Sequence, residues 1–447
     1  MKINYNPFQR LHVYAAFFIT PLLITLTVSG IGYLFYNEVE DVIYEDMFFG
    51  ESGETYQTLD EGIESVQHAH HGLSISRISL MGEEYNNRVT LADAEGNQTY
   101  VFLDDNNQIV GSQDANYTYS NMTREFHSSL MTGNTFINYL VELTACWTLF
   151  MIISGCYMVI KKKLLSNKSK KFKFQKLHGV LGLIIAIPLS IFIITGLPWS
   201  GFTGAQIYKL SENVPEWGNT ELSVNPPNSD VNEIPWATRS SNSPVSDQAN
   251  DEEDSEHAGH HGDSGGMTDI PYQLDVEEVQ TLALEEDLSY PFSIVYPSDE
   301  EGVFTVSKGS NSGITGLDVS PYEETTVYFD QYSGEVLGQI SFEDYGLIGK
   351  WFTWGIPLHE GHLFGWPNKV LNLAVCLAFL STIFFGFYSM VKRSKEFKNV
   401  FPKRTNKPLS WGTVLVLAFL GVLMPLFGIS LIVIAIIEFI LIKRKRN

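Results

Sequence analysis

Four histidines, His12, His127, His178 and His359, stand at or near the ends of apolar stretches, and the surroundings of each recur. FQRLH at residues 8–12 returns as FQKLH at 174–178, and His127 and His359 are each followed six residues later by a glycine, Gly133 and Gly365. A lone histidine at such a place needs only the headgroup region to explain it. Four of them in two repeated pairs point to ligation. Two facing imidazoles can fill both axial positions of a haem iron, a ligation suited to electron transfer because no position stays open for oxygen. His12 with His178 would hold one haem b, and His127 with His359 a second. His362 is the alternative to His359; its counterpart in the other copy is Leu130. Arg10 and Lys176 would balance haem propionates, besides their default role in setting topology. Glu142 sits within an apolar run, where a carboxylate is costly. It either hydrogen-bonds a ligating histidine or lies shallow enough to be hydrated.

The elements that position these residues are membrane spans. Residues 13–36, 179–208, 370–391 and 411–437 carry no charge, and 137–160 carry only Glu142. About 18 apolar residues suffice to cross a hydrocarbon core of about 30 Å. Of 29 Lys and Arg, 21 fall in residues 1–11, 161–176, 392–408 and 443–447, which hold one acidic residue, Glu396. The positive-inside rule puts those pieces, with both termini, in the cytoplasm. The acidic segments then lie outside, which accounts for the net charge of −22. The first apolar run is too long for a cleaved leader and reads as an uncleaved span. The final run is too long for one helix, and Pro425 with Gly428 marks a break near its middle. Six spans are expected, the last two forming a C-terminal hairpin over 410–447. Cys146, Cys156 and Cys376 all fall inside spans and read as small buried hydrophobes.

Self-similarity organises the rest. Each half opens on its FQ[RK]LH motif and closes on G-x-Y-x-x-x-K: Gly155, Tyr157, Lys161, and Gly386, Tyr388, Lys392. The first four spans are therefore read as a pseudo-two-fold repeat of span, outer domain, span. The outer domains, over 37–126 and 273–345, are expected to be small and α+β. QTYVFLDDNNQIVGS (98–112) and TTVYFDQYSGEVLGQI (325–340) alternate apolar and polar residues around turn signals, as hairpins do. Residues 57–71 and 274–286 have helical spacing. An acidic, Ser/Asn/Pro-rich insert over 209–272 has the composition of a disordered segment. It carries His257, His260 and His261, while His68, His70 and His71 form HAHH before Gly72. Both clusters could capture a cation weakly, but a solvated linker and a helix end are the plainer readings.

There is no dinucleotide fingerprint, Walker A motif, H-E-x-x-H or G-x-S-x-G. The cytoplasmic loops are too short for a flavin or nicotinamide domain, so electrons would come from a soluble reductase or the quinone pool. The bilayer is the expected surroundings, and no nucleic acid is expected as a partner. LHVYAAFFITPLLITLTVSGIGYLF, VELTACW, SGCYM, LHGVLGL, ITGLPWSGFTG, LHEGHLFGWPNKVL and GVLMPLFGISL together resemble the PepSY-associated transmembrane family, which includes iron-regulated membrane proteins and siderophore reductases. The outer segments resemble PepSY domains, most clearly at VYFDQYSGEVLG. The resemblance implies a haem-bearing reductase of the bacterial inner membrane that passes electrons outward to ferric chelates, with His12, His178, His127 and His359 at the family's span-end histidine positions. The acidic insert departs from that pattern and disfavours an anionic chelate. Two other classes stay open. One is an anchored regulatory protein such as a peptidase inhibitor. The other is a metal transporter. The visible spectrum of purified membranes would separate them from a reductase.

Overall fold

The computed structural model describes residues 7–51, 53, 55–82, 85–161, 173–214, 245–246, 273–297, 299–310, 319–397 and 410–446. In chain order the first helices are α1 (Pro7–Tyr33), α2 (Tyr36–Ile43), α3 (Glu45–Phe48) and α4 (Leu59–Ala69). Strands β1 (Ser74–Leu80), β2 (Asn87–Ala92), β3 (Gln98–Leu103) and β4 (Ile109–Asp114) follow. Next come α5 (Tyr119–Ser129), α6 (Thr135–Lys161), α7 (Lys173–Ile184), α8 (Ala186–Gly196) and α9 (Thr203–Asn213). Then come α10 (Val276–Glu285), β5 (Phe292–Val295), β6 (Val303–Lys308), β7 (Thr325–Asp330) and β8 (Val336–Ser341). The chain ends with α11 (Leu347–Glu360), α12 (Trp366–Phe397), α13 (Trp411–Leu423) and α14 (Pro425–Arg446). These elements form two compact units. One is helical, built from 1–34, 123–208 and 364–447; the other contains the strands, in 35–122 and 209–363.

Three helices of the helical unit are long and apolar enough to cross a membrane: Phe8–Tyr33, Thr135–Lys161 and Trp366–Lys392. α7 and α8 make a fourth if taken together, bent by 55°. The bend has a local cause. Pro188 brings no N–H, and its ring crowds the carbonyl four residues earlier, at Ile184 where α7 stops. The final apolar run breaks at Met424, before Pro425, into two shorter apolar helices. At 1.5 Å per residue, α13 covers only about 20 Å, less than the hydrocarbon core. Helix length alone thus supports three full-length spans, or four with the bent pair. The terminal helices pack on α6: Trp147 and Phe150 join Leu420, Met424 and Phe427 in one core, and Trp147 Nε1 donates to Ser430 Oγ at 3.1 Å.

In the other unit the two outer segments, expected as separate domains, contribute two halves of a single antiparallel sheet ordered β4-β3-β2-β1-β5-β6-β7-β8. The seam is β1 with β5, in register at Ile78↔Ile294. Unpaired, each of these strands would leave its backbone groups open to another chain. Pairing satisfies them and places Ser79 Oγ 3.0 Å from Ser293 Oγ. α4 and α10 bring Ile63, Val66 and Val279 to the core formed with Ile75, Ile78, Val89, Ile294 and Phe304, all fully buried. Both helices start with a capping box, Thr58 with Glu61 and Asp275 with Glu278. Asp60 links them by accepting from the backbone N–H of Val276 and Glu277 at 2.9 and 3.1 Å. The β3–β4 turn is closed by Asp104, which accepts from the N–H of Asn106 and Gln108. Asn107 takes the left-handed conformation there, with φ 57°.

Candidate cofactor site

Each histidine of the helical unit meets a neighbouring helix at a small residue. His12, in the second turn of α1, has Nδ1 2.7 Å from Ser154 Oγ on α6. That hydroxyl also stands 3.2 Å from the Met151 carbonyl. His127, on α5, has Nδ1 3.0 Å from Ser29 Oγ on α1. Ser29 Oγ likewise stands 3.0 Å from a carbonyl, that of Leu26. His178, on α7, has Nδ1 2.8 Å from the Thr382 carbonyl on α12, a group that only accepts. His178 Nδ1 therefore carries hydrogen, and all three imidazoles are held through Nδ1 by a neighbouring helix, as the outer nitrogen of a metal-ligating histidine is held by the protein.

The glycines facing these rings differ in the room they leave. A Cβ at Gly155 would stand 3.6 Å from His12 Cε1, and one at Gly30 would stand 3.5 Å from His127 Cε1. Both are ordinary contacts. At Gly386 the space is absent: a Cβ would stand 2.9 Å from His178 Nδ1 and 3.0 Å from its Cε1.

His12 and His178 line one cavity of about 550 Å³, within the size range of sites that enclose a cofactor-sized ligand. Its walls are mostly aliphatic and aromatic, with Ile185, Leu189 and Phe379 among them. Gln9, Gln175, Thr148 and Ser389 supply polar groups. The sequence profile of the PepSY-associated TM region matches residues 9–393, from the glutamine of the first FQ[RK]LH motif to one residue past the second G-x-Y-x-x-x-K. The chain belongs to the PepSY-associated TM family. The match takes in all four candidate ligands and all eight strands of this PepSY-associated protein, and it stops before α13. No curated protein matches the chain closely enough to be named as a relative.

The remaining predicted residues fall in different places. His359 lies in the last turn of α11, in the sheet-bearing unit, before Gly361 at φ 93° ends the helix. His362 has Nε2 3.1 Å from the Ser310 carbonyl and Nδ1 3.8 Å from the Glu360 carboxylate. Since the carbonyl only accepts, Nε2 of His362 carries hydrogen. Glu142 corrects the expectation of a histidine partner. Its carboxylate accepts from the backbone N–H of Phe202 at 2.9 Å and of Thr203 at 3.1 Å, and from the Thr203 hydroxyl. It is 2% exposed, so it is not hydrated either. It caps the N-terminus of α9 and closes the turn after α8, as an anion at a helix start should. Arg10 lies over the Tyr14 ring at 5.8 Å, and neither Arg10 nor Lys176 lines the cavity.

HAHH ends α4. His70 is its C-cap, His68 lies 3.7 Å from Glu64, and the rings of His68 and His71 are 6.5 Å apart. Among the described residues no three His, Cys, Asp or Glu side chains are grouped to hold a metal ion. His257, His260 and His261 lie outside the described residues. The sequence reading missed Ser29, Ser154 and Thr382. A serine or threonine inside an apolar helix has no spacing signal that sets it apart.

α11 is fixed to the sheet by a buried acid. Glu324, fully buried, accepts from Ser310 N–H at 3.0 Å, Ser310 Oγ at 2.6 Å and Thr353 Oγ1, on α11, at 3.1 Å. Burial pushes its carboxyl above the usual range, more than the hydrogen bonds pull it down. A raised folded pKa means the folded state holds the proton longer than the unfolded chain does. This group's contribution to stability is then fully present below the unfolded value of about 4.3, and it is lost as pH rises through the folded one. Glu324→Gln keeps the shape without the titration. The melting temperature of the variant relative to wild type is expected to rise from pH 4 to pH 8. Parallel melting curves across that range would contradict it.

Proposed function

We propose that the protein carries electrons across the bilayer through two bis-histidine haems b. The inner haem is held by His12 and His178, and His127 is a candidate ligand of the outer one. The carrying observation is that two imidazoles, each hydrogen-bonded through Nδ1 to a neighbouring helix, line one cofactor-sized cavity from two helices, α1 and α7. A haem bound there would supply a one-electron couple with no open position for oxygen. The chain's own residues do the rest. Ser154 and the Thr382 carbonyl orient the rings and raise their basicity as ligands. Gly386 lets α12 approach His178, and Ile185, Leu189 and Phe379 form the apolar wall.

Ser29, which holds His127, lies 17 residues beyond His12 on α1. At 1.5 Å per residue the two levels are about 26 Å apart, close to the thickness of the hydrocarbon core. In this reading both termini are cytoplasmic in the inner membrane of a bacterium, α13 and α14 form the fifth and sixth spans, and the two halves are repeats. The donor is a soluble reductase or quinone, and the acceptor is an extracytoplasmic ferric chelate or metal ion. The acidic exterior favours a neutral or cationic acceptor.

A pyridine haemochrome assay on the purified full-length protein tests the reading. About two haems per chain are expected. None in a folded protein would end the proposal, and one would remove the outer haem from it.

A further inference from the structure

We propose that Gln9 and Gln175 are the specificity-determining residues of the cavity, receiving the carboxylate-bearing edge of its ligand through their side-chain amides. The inference rests on the haem reading above and deepens it. Each glutamine stands three residues before a candidate ligand, Gln9 before His12 and Gln175 before His178. That spacing puts glutamine and histidine on the same helix face, one turn apart. Both glutamines line the same cavity as the two imidazoles. Gln9 is 9% exposed and Gln175 is half-buried. The basic residues of the two motifs, Arg10 and Lys176, stand only two positions before the histidines, a spacing that does not share a face, and neither lines the cavity.

The duplicated motif thus delivers two neutral amides to the cavity about 4.5 Å along the helices from the imidazoles, toward the N-terminal ends of α1 and α7. A planar tetrapyrrole gripped at its centre by the imidazoles has one polar edge, with two carboxylates. Burying those in a mostly aliphatic wall is costly unless donors meet them, and a primary amide offers two N–H donors. Two amides from two helices match two carboxylates on one edge. A ligand lacking them would gain nothing from either glutamine.

The test uses full-length protein in detergent, prepared under haem limitation and titrated with protohaem or its dimethyl ester. Gln9→Leu and Gln175→Leu are each expected to weaken protohaem binding at the inner site about tenfold, the size of a lost hydrogen bond to a charged group. The low-spin bis-imidazole spectrum should persist, and affinity for the ester should be unchanged. Gln9→Glu, which sets a second anion beside the edge, should weaken protohaem further than Gln9→Leu and still spare the ester. Equal loss of both porphyrins, or no loss of either in any variant, would overturn the assignment and leave the haem reading standing. Wild-type protein that binds neither porphyrin would overturn both.

Discussion

Replacing His12 or His178 with alanine is expected to lower bound haem from about two per chain to about one, with the same result for either residue. Equivalence is the point. The two residues lie on different helices, and their Nδ1 partners are chemically different, a serine hydroxyl and a backbone carbonyl. Only a shared ligand makes their losses alike. Removing a single axial imidazole should weaken retention by more than the 10–100-fold seen for loss of an outer-shell partner, so the inner haem should not survive purification. The remaining haem should keep its low-spin spectrum, because His127 is held by Ser29 on its own account. His362→Ala should leave both haems in place, since its Nε2 is engaged with the Ser310 carbonyl. If His12→Ala loses haem and His178→Ala does not, the two are not a pair.

The imidazoles drew attention in the sequence because recurring motifs set them side by side: FQRLH with FQKLH, and Gly133 with Gly365, which both take positive φ, 58° and 59°. The break at Pro425 and the hairpins of β3–β4 and β7–β8 were legible for local reasons, a missing N–H and turn residues between alternating runs. What was not legible depends on contacts between distant segments. Pairing of β1 with β5 joins residues 214 positions apart, and alternation within each strand says nothing about which edge it will meet. Glu142 was singled out correctly as a residue needing a partner, but the partner was the backbone of the turn at Phe202 and Thr203, 60 and 61 residues on. An uncharged stretch gives no sign that its N–H groups will be left over at a helix start. Arg10 and Lys176 drew attention by their charge. The neutral Gln9 and Gln175 beside them are the ones that reach the cavity.

Gly386→Ala is expected to disrupt the inner site without touching any ligand. The added Cβ would come within 2.9 Å of His178 Nδ1, nearer than side chains tolerate. The ring cannot swing away freely, because Nδ1 is bonded to the Thr382 carbonyl, one turn earlier on the same helix, at 2.8 Å. Making room therefore stretches or breaks that bond and turns Nε2 from its direction, a change that should cost about 10–100-fold in haem retention. Alanine is favoured over glycine inside a helix by about 1 kcal/mol, which offsets the lost hydrogen bond, so the melting temperature of the haem-free protein should change little. Gly155→Ala is the matched control. Its Cβ would rest 3.6 Å from His12 Cε1, an ordinary contact, and retention should change less than about threefold, within the span of a small packing adjustment. The contrast between two chemically identical substitutions in the two copies of G-x-Y-x-x-x-K separates a displaced ligand from a general disturbance of the bundle. Should Gly386→Ala bind haem as tightly as wild type, His178 is not held where its Nδ1 bond places it, and the inner pair loses its geometric support.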